Sequence, residues 1–131
     1  MTRERKYKAW DKRTNTMYIV EGLYFDIEGN LHSVDVVTED PRGMYLELEW
    51  GVDVIEYIGL KDKNDVEIYE GNIIPINYGE VGEFHNAKVV FSMGGFALKI
   101  GSMVVNYVGH WSQSELEVIG NIFENPELLE E

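Results

Sequence analysis

A period-two alternation of apolar and polar residues, cut at intervals by glycine, asparagine and aspartate, constrains this chain more than any other feature. Leu23, Phe25 and Ile27 point one way from an extended run, while Tyr24, Asp26 and Glu28 point the other. Gly29-Asn30 interrupts the run, and Leu31-His32-Ser33-Val34-Asp35-Val36-Val37 resumes it. Two such runs around a Gly-Asn pair predict a β-hairpin, because both residues tolerate the positive φ of a tight turn. After a loop over residues 38–43, Met44, Leu46, Leu48 and Trp50 alternate with Tyr45, Glu47 and Glu49, which predicts another strand. A helix would scatter those apolar side chains around its circumference.

The same reading continues down the chain. Residues 54–58 form a strand closed by Gly59, and Lys61-Asp62-Lys63-Asn64-Asp65 and Glu70-Gly71-Asn72 are polar turns. Residues 73–78 contain Pro75, which cannot donate to a ladder and so demotes them to an edge strand or a bulge. Residues 79–85 are an exposed loop. Strands follow at 87–91, 96–100, 103–108 and 116–123, with Asn125-Pro126 opening a short terminal helical turn. Five short strands after residue 70, at the turn spacing of small all-β domains, predict a small barrel of the SH3-like kind or a sandwich. The expected architecture is thus all-β: one domain over residues 1–131, with a β-meander lobe (1–60) packed on a five-stranded barrel lobe (61–131).

Charge is distributed unevenly. The formal net charge is -13, yet residues 1–13 carry six Lys/Arg against two acids, and residues 14–131 carry five against 22. A basic arm (Arg3, Arg5, Lys6, Lys8, Lys12, Arg13) therefore precedes a body at -17. Such a body repels phosphate backbones, so nucleic acid is a disfavoured partner for its main surface. The chain has no cysteine, which removes disulfides, thiol nucleophiles and Cys-based zinc sites. No apolar run reaches the length of a membrane-spanning helix, and the first residues lead into Tyr7-Lys8-Ala9-Trp10 instead of an apolar signal segment. An intracellular protein without a membrane partner is the expectation.

Three stretches stand out: Tyr7-Lys8-Ala9-Trp10-Asp11, then residues 57–64 (YIGLKDKN) running into 67–74 (EIYEGNII), then residues 118–129 (VIGNIFENPELL). In this order they resemble the YopX family of small phage and prophage proteins of unassigned activity. Segments 12–53 and 75–116 match loosely. The resemblance implies a mainly β phage or prophage product acting in the cytoplasm of a bacterial host, and it supplies no catalytic residues. Two positions depart from the family pattern: Asp65 stands where the family's turn carries glycine, and Asn72 where it carries aspartate. A metal ligand or general base would not survive the exchange of aspartate for Asn72, whereas a turn cap would, so the exchange favours a structural role.

Motifs that could carry chemistry fail on spacing. Read as a calcium loop from Asp62, the five diagnostic places hold Asp62, Asn64, Val66, Glu67 and Ile73, of which three are wrong. His32, His85 and His110 have no mutual spacing of a zinc site. None of Ser33, Ser92, Ser102, Ser112 and Ser114 lies in a Gly-x-Ser-x-Gly elbow, and the glycines form no nucleotide-binding pattern. The expectation is a non-enzymatic interaction protein with no catalytic, cofactor-binding or metal residues, self-associating and acting on a host or phage protein. Its candidate interface is aromatic: Trp10, Trp50, Tyr57, Tyr69, His110 and Trp111. Two alternatives are an acidic decoy of a host DNA-binding protein and a weak nucleic-acid binder working through the basic arm.

Overall fold

The structure is a computed structural model that describes residues 3–79 and 82–129. It is all-β, with short 3-10 turns and no longer helix among the described residues. Inter-residue contacts divide the chain into two compact units, Glu4–Glu56 and the chain from Tyr57 onward.

The first unit is built from β1 (Tyr7–Asp11), β2 (Thr16–Phe25), β3 (Leu31–Val36), β4 (Met44–Glu47) and the first half of β5 (Val52–Lys61). All pairs are antiparallel, in the order β4-β3-β2-β1-β5, so a four-stranded meander receives β5 against its first strand. Ala9, Val34, Val36, Leu46 and Val52 form its core, with Tyr18, Val20, Leu23 and Trp50 packed around them. Burying each such aliphatic side chain contributes roughly 1.5–3 kcal/mol.

Two expectations for this unit change. The hairpin between β2 and β3 exists, but its turn spans residues 26–30 and not just Gly29-Asn30. The Asp26 carboxylate accepts the N–H groups of Glu28 and Asn30, both at 2.9 Å, so the turn begins at Asp26 and leaves Ile27 fully exposed. The strand expected over 44–50 stops at Glu47, and residues 48–50 form a 3-10 turn. Gly51, in the left-handed region, closes that turn by donating to the Leu48 carbonyl. The chain can then reverse into β5, whose Val52 pairs with Asp11.

The second unit holds residues 57–61 of β5, β6 (Glu67–Tyr69), β7 (Asn72–Asn77), β8 (Phe84–Ser92), β9 (Gly95–Ile100), β10 (Met103–Tyr107) and β11 (Gly120–Asn121). The five strands after residue 70 form an antiparallel sheet in the order β10-β9-β8-β7-β11. Ile68, Ile74, Ile76, Ala87, Val89, Leu98, Val108 and Leu116 are its core. Pro75 is accommodated because β11 pairs only with Asn72 and Ile73, so beyond them no strand of the described residues flanks that side of β7. The long last strand expected at 116–123 shrinks to Gly120–Asn121. Residues 116–118 instead serve the 62–66 turn: Lys63 donates to the Leu116 carbonyl, and the Val118 N–H donates to Asp62. Within the loop expected at 79–85, Glu80 and Val81 lie outside the described residues, and β8 already begins at Phe84.

Candidate interaction groove

The residues that resemble family motifs build the frame of the second unit. Asp62 is fully buried, and its carboxylate accepts three backbone N–H groups: Asn64 at 2.8 Å, Val66 at 2.9 Å and Val118 at 2.9 Å. Burial pushes its pKa up, but the N–H groups of Val118, Val66 and Asn64 outweigh it and hold the carboxyl below its ordinary value. The Asp62 carbonyl meanwhile accepts from the Gln113 side chain at 2.9 Å. Asn72, also buried, uses its side-chain oxygen to accept the Tyr69 N–H at 2.8 Å, a task that aspartate or asparagine performs equally. A Cβ on Gly71 would stand 3.0 Å from the Phe123 ring, so glycine lets the C-terminal segment close onto the turn. Asn121 accepts the N–H groups of Phe123 (3.0 Å) and Glu124 (2.8 Å), which curls that segment back on itself.

On this frame lies an open groove of about 350 Å³, lined by Tyr57, Gly59, Leu60, Lys61, Asp65, Gly109, Trp111, Gln113 and Leu116. Its first wall is the end of β5. Between the Tyr57↔Tyr69 and Lys61↔Glu67 pairs the ladder to β6 is broken by a bulge, where Gly59 takes a φ of +91° and Leu60 is turned out to solvent. Its second wall is the stretch from the 3-10 turn Val108–His110 to Leu116. Trp111 is half-buried, with the exposed His110 ring edge-on at 5.0 Å. The turn that follows is fixed by Glu115, which accepts both the N–H (3.0 Å) and the hydroxyl (2.8 Å) of Ser112 and is thereby held below the ordinary glutamate range. Lys61 and Asp65, the two charged residues of the lining, stand 3.9 Å from one another.

The six aromatic residues expected to form an interface are divided between the two units, Trp10 and Trp50 in the first and Tyr57, Tyr69, His110 and Trp111 in the second. Tyr57 and Tyr69 are buried with ring centroids 5.7 Å apart, and Tyr57 also lines the groove. Trp111 lines the groove, and His110 touches it only through its ring contact with Trp111. In the first unit Trp10 is buried, and Trp50 lies half-buried between Tyr45 (5.7 Å between centroids) and the Arg13 guanidinium (4.6 Å). Leu60, Lys61 and Gln113 escaped the sequence reading. The Gly59 bulge that turns Leu60 outward breaks the alternation, and Gln113 lies some 50 residues away in sequence from its partner Asp62.

The basic segment is likewise not one arm. Residues 3–6 are exposed, Lys8 belongs to β1, and Lys12 and Arg13 lie in the β1–β2 turn. Lys12 pairs with Asp53 at 3.3 Å. Arg13 grips the buried Asp11 with two side-chain hydrogen bonds of 3.1 and 3.0 Å, and its N–H donates to the same carboxylate at 3.0 Å. The Arg13 side chain, chiefly, keeps the Asp11 carboxyl below its ordinary range against the opposing effect of burial.

Two antiparallel sheet units, one bearing an aromatic-walled groove on a frame of turn-capping side chains, define the class of protein. The chain belongs to the YopX protein family, which it matches over residues 6–130. It is 27% identical over 136 aligned residues to the SPbeta prophage-derived protein YopX of Bacillus subtilis (strain 168), covering 95% of each chain. Among solved structures it is similar to protein EF1440 from Enterococcus faecalis, with a TM-score of 0.71, 26% identity, and coverage of 98% of this chain and 100% of that one. The crystal structure of the Bacillus subtilis YopX protein shares the fold at a TM-score of 0.64 and 24% identity, covering 96% of each.

Proposed function

We propose that this chain is a phage- or prophage-encoded, non-enzymatic protein-interaction module that self-associates and whose groove seats an apolar segment of a protein partner. The observation that carries this reading is the groove itself, which the half-buried Trp111 and the out-turned, exposed Leu60 line together. Half-exposed aromatic residues beside aliphatic ones are the composition of interface anchors. The charged lining supports recognition over chemistry, since Lys61 and Asp65 pair with each other. The prophage setting is carried over from the Bacillus subtilis relative, and action in a bacterial cytoplasm follows from that setting. The nucleic-acid alternative loses support because Lys12 and Arg13 are engaged by acids of the same unit. The decoy alternative loses support because Asp11, Asp26, Asp40 and Asp62 accept hydrogen bonds in separate turns, where a phosphate mimic needs a free stripe of carboxylates.

The test is light scattering across protein concentration at low and high salt, on the native protein and on Trp111→Ala and Leu60→Ser. A concentration-dependent rise in mass that both substitutions weaken is expected. A strict monomer at every concentration and salt overturns the self-association, and retained association in both variants overturns the groove as its site.

A further inference from the structure

The five Lys/Arg after residue 13 are Arg42, Lys61, Lys63, Lys88 and Lys99. Arg42 pairs with Asp40 at 3.0 Å, Lys61 with Asp65 at 3.9 Å and Lys63 with Glu117 at 3.1 Å. Lys88 and Lys99 have no ion-pair partner among the described residues, and they stand directly opposite each other on β8 and β9. They occupy the middle of a row that crosses the five-stranded sheet, Gly120↔Ile73↔Lys88↔Lys99↔Val104. Like charges directly opposite on one face of a sheet repel. In a chain of net charge -13, two half-buried lysines paired across neighbouring strands with no carboxylate partner among the described residues are an uncompensated arrangement.

The two lysines also line a cavity of about 270 Å³, with Asn86, Ile100, Gly101 and Leu129. Asn86 lies on the same face as Lys88, two residues earlier in β8. Its amide donates to the Leu128 carbonyl at 2.8 Å, so the terminal turn Pro126–Leu129 is pinned beside the lysines and Leu129 walls the cavity. A hydrogen bond from an ammonium group to an anion in this cavity is charge-assisted and so stronger than one between neutral groups. The volume is at the small end of ligand sites, too small for a polymer.

We infer that Lys88 and Lys99 form a binding site for a compact dianion, an oxyanion group whose oxygens bridge the two ammonium groups. A phosphoryl group and a small dicarboxylate share this chemistry. This site does not involve the groove at Trp111, so it stands or falls independently of the interaction proposed there.

The experiment is titration of the purified protein with inorganic phosphate and, separately, with succinate, in a low-chloride buffer, read from backbone amide shifts. Saturable shifts centred on Asn86, Lys88, Lys99 and Gly101, with a Kd of about 1 mM or tighter, are expected for at least one probe. Saturation by phosphate alone assigns a phosphoryl ligand, by succinate alone a dicarboxylate, and by both a general dianion site. Lys88→Gln and Lys99→Gln should each weaken binding by about tenfold or more. Lys88→Glu sets a carboxylate opposite Lys99 and should abolish binding with the native amide spectrum retained elsewhere. Failure of both probes to saturate overturns the proposal, as does undiminished binding by the Lys88→Gln/Lys99→Gln double variant or by Lys88→Glu.

Discussion

At the scale of single residues, a few polar side chains determine where the chain turns. Asp62 shows the logic most fully, since one buried carboxylate satisfies two N–H groups of its own turn and one from Val118, more than 50 residues later. It therefore closes a local turn and fastens a distant segment with the same two oxygens. Asp62→Asn keeps the shape but places an amide donor against at least one N–H, leaving a buried donor without an acceptor at a cost of about 1–3 kcal/mol. Asp62→Ala strips the acceptor from all three and should cost roughly 3 kcal/mol or more. Urea unfolding checks both through a lowered midpoint at unchanged slope. An Asp62→Asn midpoint equal to the native one would show that the carboxylate is dispensable. The identity of this residue was visible in the sequence as a turn aspartate, but its long-range partner was not, because Val118 contributes only a backbone N–H, which every residue but proline has.

At the scale of elements, the strands were legible wherever alternation and a turn residue agreed, as in β3 and β9. They were misread where a side chain or a glycine intervened. Asp26 ends β2 early by capping its own turn, the 48–50 turn preserves alternating burial without being a strand, and Gly59 bulges β5 instead of ending it. The groove inherits that difficulty, for Tyr57 and Trp111 stood out as aromatic whereas Leu60 became a wall residue only through the bulge. One hairpin retains a local conflict. Met93 and Gly94 join β8 to β9 with φ of 48° and 85°, the two-residue turn that favours asparagine before glycine. The Met93 side chain is 93% exposed, so it offers no packing to offset its left-handed backbone. Tyr107 donates its hydroxyl to the Met93 carbonyl at 3.2 Å, a contact with the backbone that any residue there keeps. Met93→Asn is accordingly expected to stabilise the protein by about 0.5–1 kcal/mol, read as a raised urea midpoint. A lowered midpoint would mean that the methionine makes a contact in solution that the fold does not display.

At the scale of the whole molecule, net charge and local carboxylate contacts act on stability with opposite signs, and pH separates them. Asp11, Asp26, Asp40, Asp62 and Glu115 are all held below their ordinary values by hydrogen bonds: from Arg13, from the Asn30 N–H, from Arg42, from the N–H groups around Asp62 against its burial, and from Ser112. A carboxyl whose folded pKa is depressed binds protons more readily when unfolded, so its stabilisation is complete above the unfolded value of about 4 and is lost as pH falls through the folded one. Glu47 behaves oppositely. A hydrogen bond with Glu49, followed by burial and by the charge of that neighbour, raises its pKa, so protonation relieves a repulsion and favours the folded state. General repulsion follows the same direction, because the charge of -13 at pH 7 shrinks toward the isoelectric point near 4.5. Thermal midpoints measured from pH 8 to pH 3 should therefore rise gently to a maximum near about pH 5 and then fall steeply below about pH 4. Added salt should flatten the neutral limb, since it screens charges spread over the surface, and leave the acid limb in place, since the hydrogen bonds behind it act at contact. A midpoint that climbed without a break to pH 3 would mean that repulsion outweighs the five turn carboxylates, and the caps at Asp11 and Asp62 would then not hold the turns they close.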